Sequence, residues 1–156
     1  MPLFVVTTRL PEPALALLRE AGELRAAEVD GVLAREQLLE LVGGADVLLS
    51  QLGDRVDEEL LEAAGPGLRC VCNVAVGYDN VDLAAAARRG IAVTNTPGVL
   101  DDATADLAIA LILIATRRLG EGERLVRSGR PWSWGMGFML GHGLRGKLLG
   151  VVGLGG

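Results

Sequence analysis

L-R-C-V-C-N-V-A-V-G-Y-D-N-V-D-L-A-A-A-A-R-R-G-I-A-V-T-N, Leu68–Asn95, carries the grammar of the chain in one pass. The apolar run Leu68 to Val74 reads as a strand that empties into a loop of Gly, Asn and Asp. Asp82 then stands as N-cap to an Ala-rich helix, Leu83 to Arg89, which Gly90 ends. Ile91 to Asn95 is the next strand, closed by Thr96-Pro97-Gly98. Two apolar strands joined by a helix lie parallel, buried on both faces.

The same alternation extends toward the N-terminus. Leu3 to Thr8 is a β-rich run, and Pro11 and Pro13 open a helix Ala14 to Ala21 with Gly22 past its end. Leu24 to Val29 is a strand, Arg35 to Val42 a helix closed by Gly43-Gly44, Asp46 to Leu52 a strand, and Asp57 to Ala64 a helix closed by Gly65. This pattern predicts an α/β fold with a parallel sheet, whose ligands gather at the carboxyl ends of the strands.

After Pro97 the pattern changes. Asp101 to Leu119 reads as one long helix, with acids in its first turn and Arg117-Arg118 in its last. Its middle, Leu107 to Ala115, is apolar all round and must be covered on every side, which places it between domains or between subunits; the expectation is a homodimer through helix 101–119 and the loop 128–146. That loop is rich in Gly and holds Trp132, Trp134, Met136, Phe138 and Met139. Leu148 to Val152 then starts a fresh strand. Two units are expected, residues 1–98 and 99–156.

Half of the 156 residues are hydrophobic, enough for a sizeable core. A net charge of −5 supplies no basic field for nucleic acid or an anionic membrane. The run Leu107 to Ala115 is far shorter than the roughly 20 residues of a membrane helix. No charged segment followed by an apolar one opens the chain, so the expected compartment is the cytoplasm. Cys70 and Cys72, two apart on a strand, are expected as reduced core residues on one face. No metal-ligand spacing is present.

Two stretches carry chemistry. In Asn73 to Asp82, the main-chain N–H groups of Val76 and Gly77 would turn toward a small carboxylate, with Leu52 and Gly53 lining the same crevice. A plain strand-to-helix turn capped by Asp82 is the other reading. Gly153-Leu154-Gly155-Gly156, directly after an apolar strand, reads as the opening of G-x-G-x-x-G, the turn that seats a dinucleotide pyrophosphate; a Gly-rich chain end is the alternative.

N-V-A-V-G-Y-D-N-V-D, then R-R-G-I-A-V-T-N-T-P-G-V-L-D-D-A-T-A-D-L-A, then V-V-G-L-G-G, in this order, resemble the D-isomer-specific 2-hydroxyacid dehydrogenase family, and within it the glyoxylate/hydroxypyruvate reductase branch. The resemblance implies a flavodoxin-like substrate domain followed by the start of a Rossmann domain for NAD or NADP, with the site in the cleft between the two. It implies reduction of a small 2-keto acid to the D-2-hydroxy acid by hydride transfer. It gives the substrate carboxylate to Val76 and Gly77, the pocket wall to Leu52, the approach to the cofactor to Thr104, and the pyrophosphate to Gly153, Leu154, Gly155 and Gly156. Trp134 would reach the neighbouring subunit's site; a loop anchor on its own subunit is the alternative.

The reaction needs a proton donor and a group polarising the ketone. The family's Arg, Glu and His lie beyond residue 156, so no catalytic residue is expected within this chain, and His142 does not match that histidine's position. The sequence is therefore expected to be the front part of a longer enzyme. A sister dehydrogenase acting on D-lactate or phosphoglycerate, a non-catalytic NAD(H)-binding corepressor relative, and a free-standing small-anion binding domain are the rival readings.

Overall fold

The computed structural model describes residues 1–153. It divides into two compact units, Met1–Pro97 and Gly98–Gly156.

In the first unit, β1 (Leu3–Val6), β2 (Glu23–Ala26), β3 (Val47–Ser50), β4 (Cys70–Asn73) and β5 (Ala92–Thr94) alternate with α1 (Glu12–Ala21), α2 (Arg35–Leu41), α3 (Glu58–Ala64) and α4 (Leu83–Arg88). All strand pairs are parallel, in the order β2-β1-β3-β4-β5. That is the flavodoxin-like order, with its switch point between β1 and β3. Each helix starts where the sequence places a stop for the preceding loop. Asp57 accepts from the Leu60 N–H at 3.2 Å to cap α3, and Asp82 accepts from the Ala85 N–H at 2.8 Å to cap α4. Pro11 and Pro13 flank the first residue of α1.

Alternate strand residues divide the sheet into two faces. Val5, Leu48 and Val71 are fully buried against Leu38 and Val42, Leu60, Leu61 and Ala64, and Ala85 and Ala86 of the α2–α4 side. In the opposite phase Val6 is buried, while Val47, Leu49, Cys70 and Cys72 are half-buried. The two cysteines do share a face and are free thiols, but they are half-buried rather than core residues, because this face is the less covered one. Their sulfurs lie 3.6 Å apart, and burial, then the Cys72 thiol, push the Cys70 thiol up to about 11. Gly22, beside α1, is required by close approach: a Cβ there would lie 2.3 Å from the Pro2 carbonyl oxygen and 2.8 Å from the Phe4 ring.

The second unit differs from the expected long helix. The helix α5 (Asp101–Thr116) stops three residues early, and α6 (Leu119–Arg127) follows where no helix was expected. The break is at Arg118, which adopts the left-handed conformation with φ 56 and forks onto Glu121 in the first turn of α6 at 3.0 and 2.6 Å. Segment 140–142 closes over the end of α5. The His142 N–H donates to the Thr116 carbonyl at 2.7 Å, and a Cβ on Gly141 would lie 2.6 Å from that oxygen. Trp132 and Phe138 stack with ring centroids 5.4 Å apart.

The strand expected over 148–152 does not form among the described residues. A parallel strand exists through its ladder, and no segment of residues 98–153 is extended beside this one. Its Leu148 and Val152 are fully exposed. No helix among the described residues is long and apolar enough to cross a membrane.

Candidate functional site

Three strand ends meet at the carboxyl edge of the sheet in the first unit. From β3 comes the turn Gln51–Asp54, closed by the Asp54 N–H to the Gln51 carbonyl and by the Gln51 N–H to Asp54 Oδ2, both at 3.0 Å. Asp54 is buried, its Oδ2 also accepts from the Thr7 hydroxyl at the end of β1, and its Oδ1 has no partner among the described residues. This turn lifts Leu52 outward, 61% exposed.

From β4 comes the loop Val74–Asn80, whose carbonyls are tied down one after another. The Ala75 carbonyl accepts from the Thr96 N–H at 2.8 Å, the Val76 carbonyl from Asn95 Nδ2 at 2.8 Å, and the Gly77 carbonyl from Asn73 Nδ2 at 2.9 Å. A trans peptide directs its N–H opposite to its C=O, and no peptide here is cis. The N–H groups of Val76, Gly77 and Tyr78 therefore turn away from those anchors. Among the described residues none of the three finds an acceptor. Val76 and Gly77 are half-buried, and Tyr78 is exposed.

The two loops face each other. A Cβ on Gly77 would sit 3.8 Å from Leu52 Cδ2, an ordinary contact, and Gly77 is not among the glycines with positive φ. The fold thus asks nothing of glycine at this position. What the missing side chain leaves is open space in front of Leu52, next to outward N–H groups. A small anion with an apolar flank suits that surface. Tyr78, Leu83, Val93, Thr94 and Asn95 line a hollow of about 140 Å³.

Leu52 thus lies beside Gly77, with Val76 preceding it in the same loop. Thr104, Trp134 and Gly153 belong to the second unit. Thr104 lies exposed in the first turn of α5, its N–H on the Leu100 carbonyl at 2.9 Å. Trp134 is 79% exposed. Gly153 has φ +83, a conformation that favours glycine and fits the tight first position of a phosphate turn. Leu154, Gly155 and Gly156 lie outside the described residues. His142 is exposed and serves α5 through its main chain.

The amide, hydroxyl and carboxylate groups behind the loop, those of Asn73, Asn80, Asn95, Ser50 and Asp54, were not foreseen. Two carried a signal: Ser50 and Asn73 stand in phase with buried Leu48 and Val71, polar residues where the alternation asks for core.

The family model for the D-isomer specific 2-hydroxyacid dehydrogenase catalytic domain matches residues 4–143. A glyoxylate reductase of Pyrococcus furiosus is 45% identical over 159 residues, covering 99% of this chain and 47% of that protein. One from Korarchaeum cryptofilum is 44% identical over 156 residues, with 99% and 46% covered. A solved structure from Thermus thermophilus is 43% identical with a TM-score of 0.80, over 89% of this chain and 44% of that one. The structure of an NADPH-dependent glyoxylate/hydroxypyruvate reductase of Sinorhizobium meliloti, in complex with NADP and malonate, is 33% identical with a TM-score of 0.63, over 83% and 39%. The chain spans about half the length of the curated relatives it matches. With its parallel sheet in flavodoxin order, its anchored Val76–Gly77 loop and these matches, the chain belongs to the D-isomer-specific 2-hydroxyacid dehydrogenase family.

Proposed function

We propose that the protein reduces a small 2-keto acid of the glyoxylate/hydroxypyruvate class to its D-2-hydroxy acid with NADH or NADPH. The observation that carries this reading is the Val76–Gly77 loop, whose carbonyls are held from behind while the N–H groups stay free at the carboxyl end of the sheet. The resemblance to proteins named for glyoxylate reduction supports the choice of substrate.

In this reading residues 1–98 form the substrate-binding unit: Val76 and Gly77 hold the carboxylate, and Leu52 walls the pocket on the side of the keto acid's small substituent. Residues 99–156 begin the dinucleotide-binding unit, with Thr104 near the cofactor and Gly153 to Gly156 at the pyrophosphate. Bound NAD(P)H supplies the hydride. Proton donation and ketone polarisation fall to the part of such a protein that residues 1–156 do not include.

Trp134 reaches a neighbouring subunit in a homodimer built on helix 101–119, observed as 101–116, and loop 128–146. The protein works in the cytoplasm without nucleic acid or membrane. Supporting the dimer, Leu107, Ile109 and Leu111 of α5 are each more than half exposed.

Steady-state assays of the full-length protein with glyoxylate and hydroxypyruvate, each with NADH and NADPH, test the reading. Turnover of either acid is the expected result. Turnover confined to pyruvate or a larger 2-keto acid would move the protein to a sister activity, and cofactor binding without turnover would remove it from the enzymes.

A further inference from the structure

The side chains that hold the anchored loop form one connected set. Asn73 is 1% exposed; its Oδ1 accepts from the Ser50 hydroxyl at 3.0 Å, and its Nδ2 donates to the Gly77 carbonyl at 2.9 Å and to Asn80 Oδ1 at 3.0 Å. Asn80 Nδ2 donates to the Gln51 carbonyl at 3.1 Å and the Asp54 carbonyl at 2.9 Å, and lies 3.2 Å from Asn73 Oδ1. The two amides therefore tie the turn that presents Leu52 to the loop that presents Gly77, although the two come from different strands.

The bond from Asn73 to Gly77 has a directional consequence. The Gly77 carbonyl and the Tyr78 N–H belong to one trans peptide, so drawing the carbonyl inward turns the Tyr78 N–H outward, beside those of Val76 and Gly77. A network serving only the core would satisfy itself within β3 and β4. This one reaches past the strand ends to a carbonyl whose own N–H neighbours stay unpartnered among the described residues.

We propose that Asn73 and Asn80 are positioning residues of the carboxylate pocket, and that the main-chain N–H of Tyr78 is a third donor to the carboxylate alongside Val76 and Gly77. The inference rests on the substrate class proposed above. The Tyr78 donor owes its direction to Asn73, and the alignment of Leu52 with the three donors owes its rigidity to Asn80. Holding the donors in place before the ligand arrives removes ordering cost from binding.

The test uses the full-length protein. Asn73→Leu keeps the side-chain shape and removes the donor; Asn80→Asp keeps the shape and removes both donated bonds. Each is expected to raise KM for the keto acid about tenfold, the scale of one lost hydrogen bond to a charged group, with KM for the nicotinamide cofactor unchanged. Val42→Ala, a core truncation away from the loops, provides a loss of Tm without loss of positioning, and its KM is expected to stay at the wild-type value. Equal KM changes in Asn73→Leu and Val42→Ala would overturn the proposal.

Amide NMR of the unmodified full-length chain, titrated with glyoxylate, decides the third donor even if the variants fail to fold. Saturable shifts of the Val76, Gly77 and Tyr78 amides together are expected; shifts of Val76 and Gly77 with Tyr78 unmoved would overturn it. Absence of turnover by the unmodified protein counts against the proposed activity alone, and the amide titration still decides the donor set.

Discussion

Leu52 Cδ2 lies 3.8 Å from the point where a side chain on Gly77 would begin, and beyond Gly77 and its two chain neighbours no other heavy atom of the described residues comes within 4 Å. Glycine here is unrelated to backbone strain, since Gly77 is not among the positive-φ residues. The separation of fold from function at this residue leads to the first prediction. Gly77→Ala should leave Tm unchanged or raise it, because alanine restricts the unfolded chain by about 0.4–1 kcal/mol where its conformation is allowed. The same methyl would stand in the space assigned to the carboxylate, so KM for the keto acid should rise about tenfold or more. Thermal unfolding and steady-state kinetics on one preparation read both.

Gly22 is the opposite case. A Cβ there would collide with the Pro2 carbonyl and the Phe4 ring, at the join of α1 and β2. Gly22→Ala should cost about 1–3 kcal/mol of stability, as overpacking does, while leaving KM for the keto acid alone. Urea unfolding of the two glycine variants side by side would show a deficit in Gly22→Ala only.

Asp57 caps α3 and pairs with Arg35 and Arg55. Burial alone would raise its pKa, but the hydrogen bonds from Arg35 and the Leu60 N–H, with the charges of both arginines, outweigh it and hold the carboxyl below its ordinary value. A carboxyl depressed in the folded state stabilises above its unfolded pKa, about 3.9, and that stabilisation is lost as pH falls through the lower folded value. Asp57→Ala should therefore cost about 1 kcal/mol near neutrality, as a lost cap does, and the gap to the unmodified chain should close as pH falls through the depressed folded value. Denaturant midpoints from neutral to acid pH measure it; a gap that persists in acid would assign the loss to packing instead.

The α5 helix presents Leu107 and Leu111, one turn apart on one face, on an open surface, 59% and 55% exposed. If this surface is the homodimer contact, Leu111→Arg should shift the full-length protein from dimer to monomer in light scattering, since an unpaired charge would be buried at the interface. A protein already monomeric before substitution would refute the contact.

Much of the first unit was legible in the sequence because two independent signals coincided. Apolar runs such as Cys70–Asn73 could be placed as strands by their punctuation, and Asp57, Asp82, Gly65 and Gly90 marked where helices begin and end. The second unit was less legible. The reversal at Arg118 carries no Gly or Pro of its own; it comes from a left-handed residue and a fork onto Glu121, neither of which periodicity reports. The strand expected over 148–152 had the right composition, but composition cannot supply the neighbouring strand a ladder needs. At the site, main-chain donors could be anticipated from a glycine at a strand end. The asparagines that hold the loop could not: Asn80 and Asn95 bond carbonyls that come near only after β3, β4 and β5 are assembled, and Asn73 reaches Gly77 through a loop shape that periodicity does not report.

If Val76 and Gly77 recognise a carboxylate in a nicotinamide-dependent reduction, the full-length protein with NADH or NADPH should separate hydroxypyruvate from dihydroxyacetone, the neutral ketone in which a hydroxymethyl group replaces the carboxylate. The expected kcat/KM for hydroxypyruvate exceeds that for dihydroxyacetone by about 10⁴-fold, the discrimination reached when a site built to hydrogen-bond a group is offered a substrate without it. Comparable values for the two ketones, or no oxidation of either cofactor by hydroxypyruvate or glyoxylate, would contradict this reading.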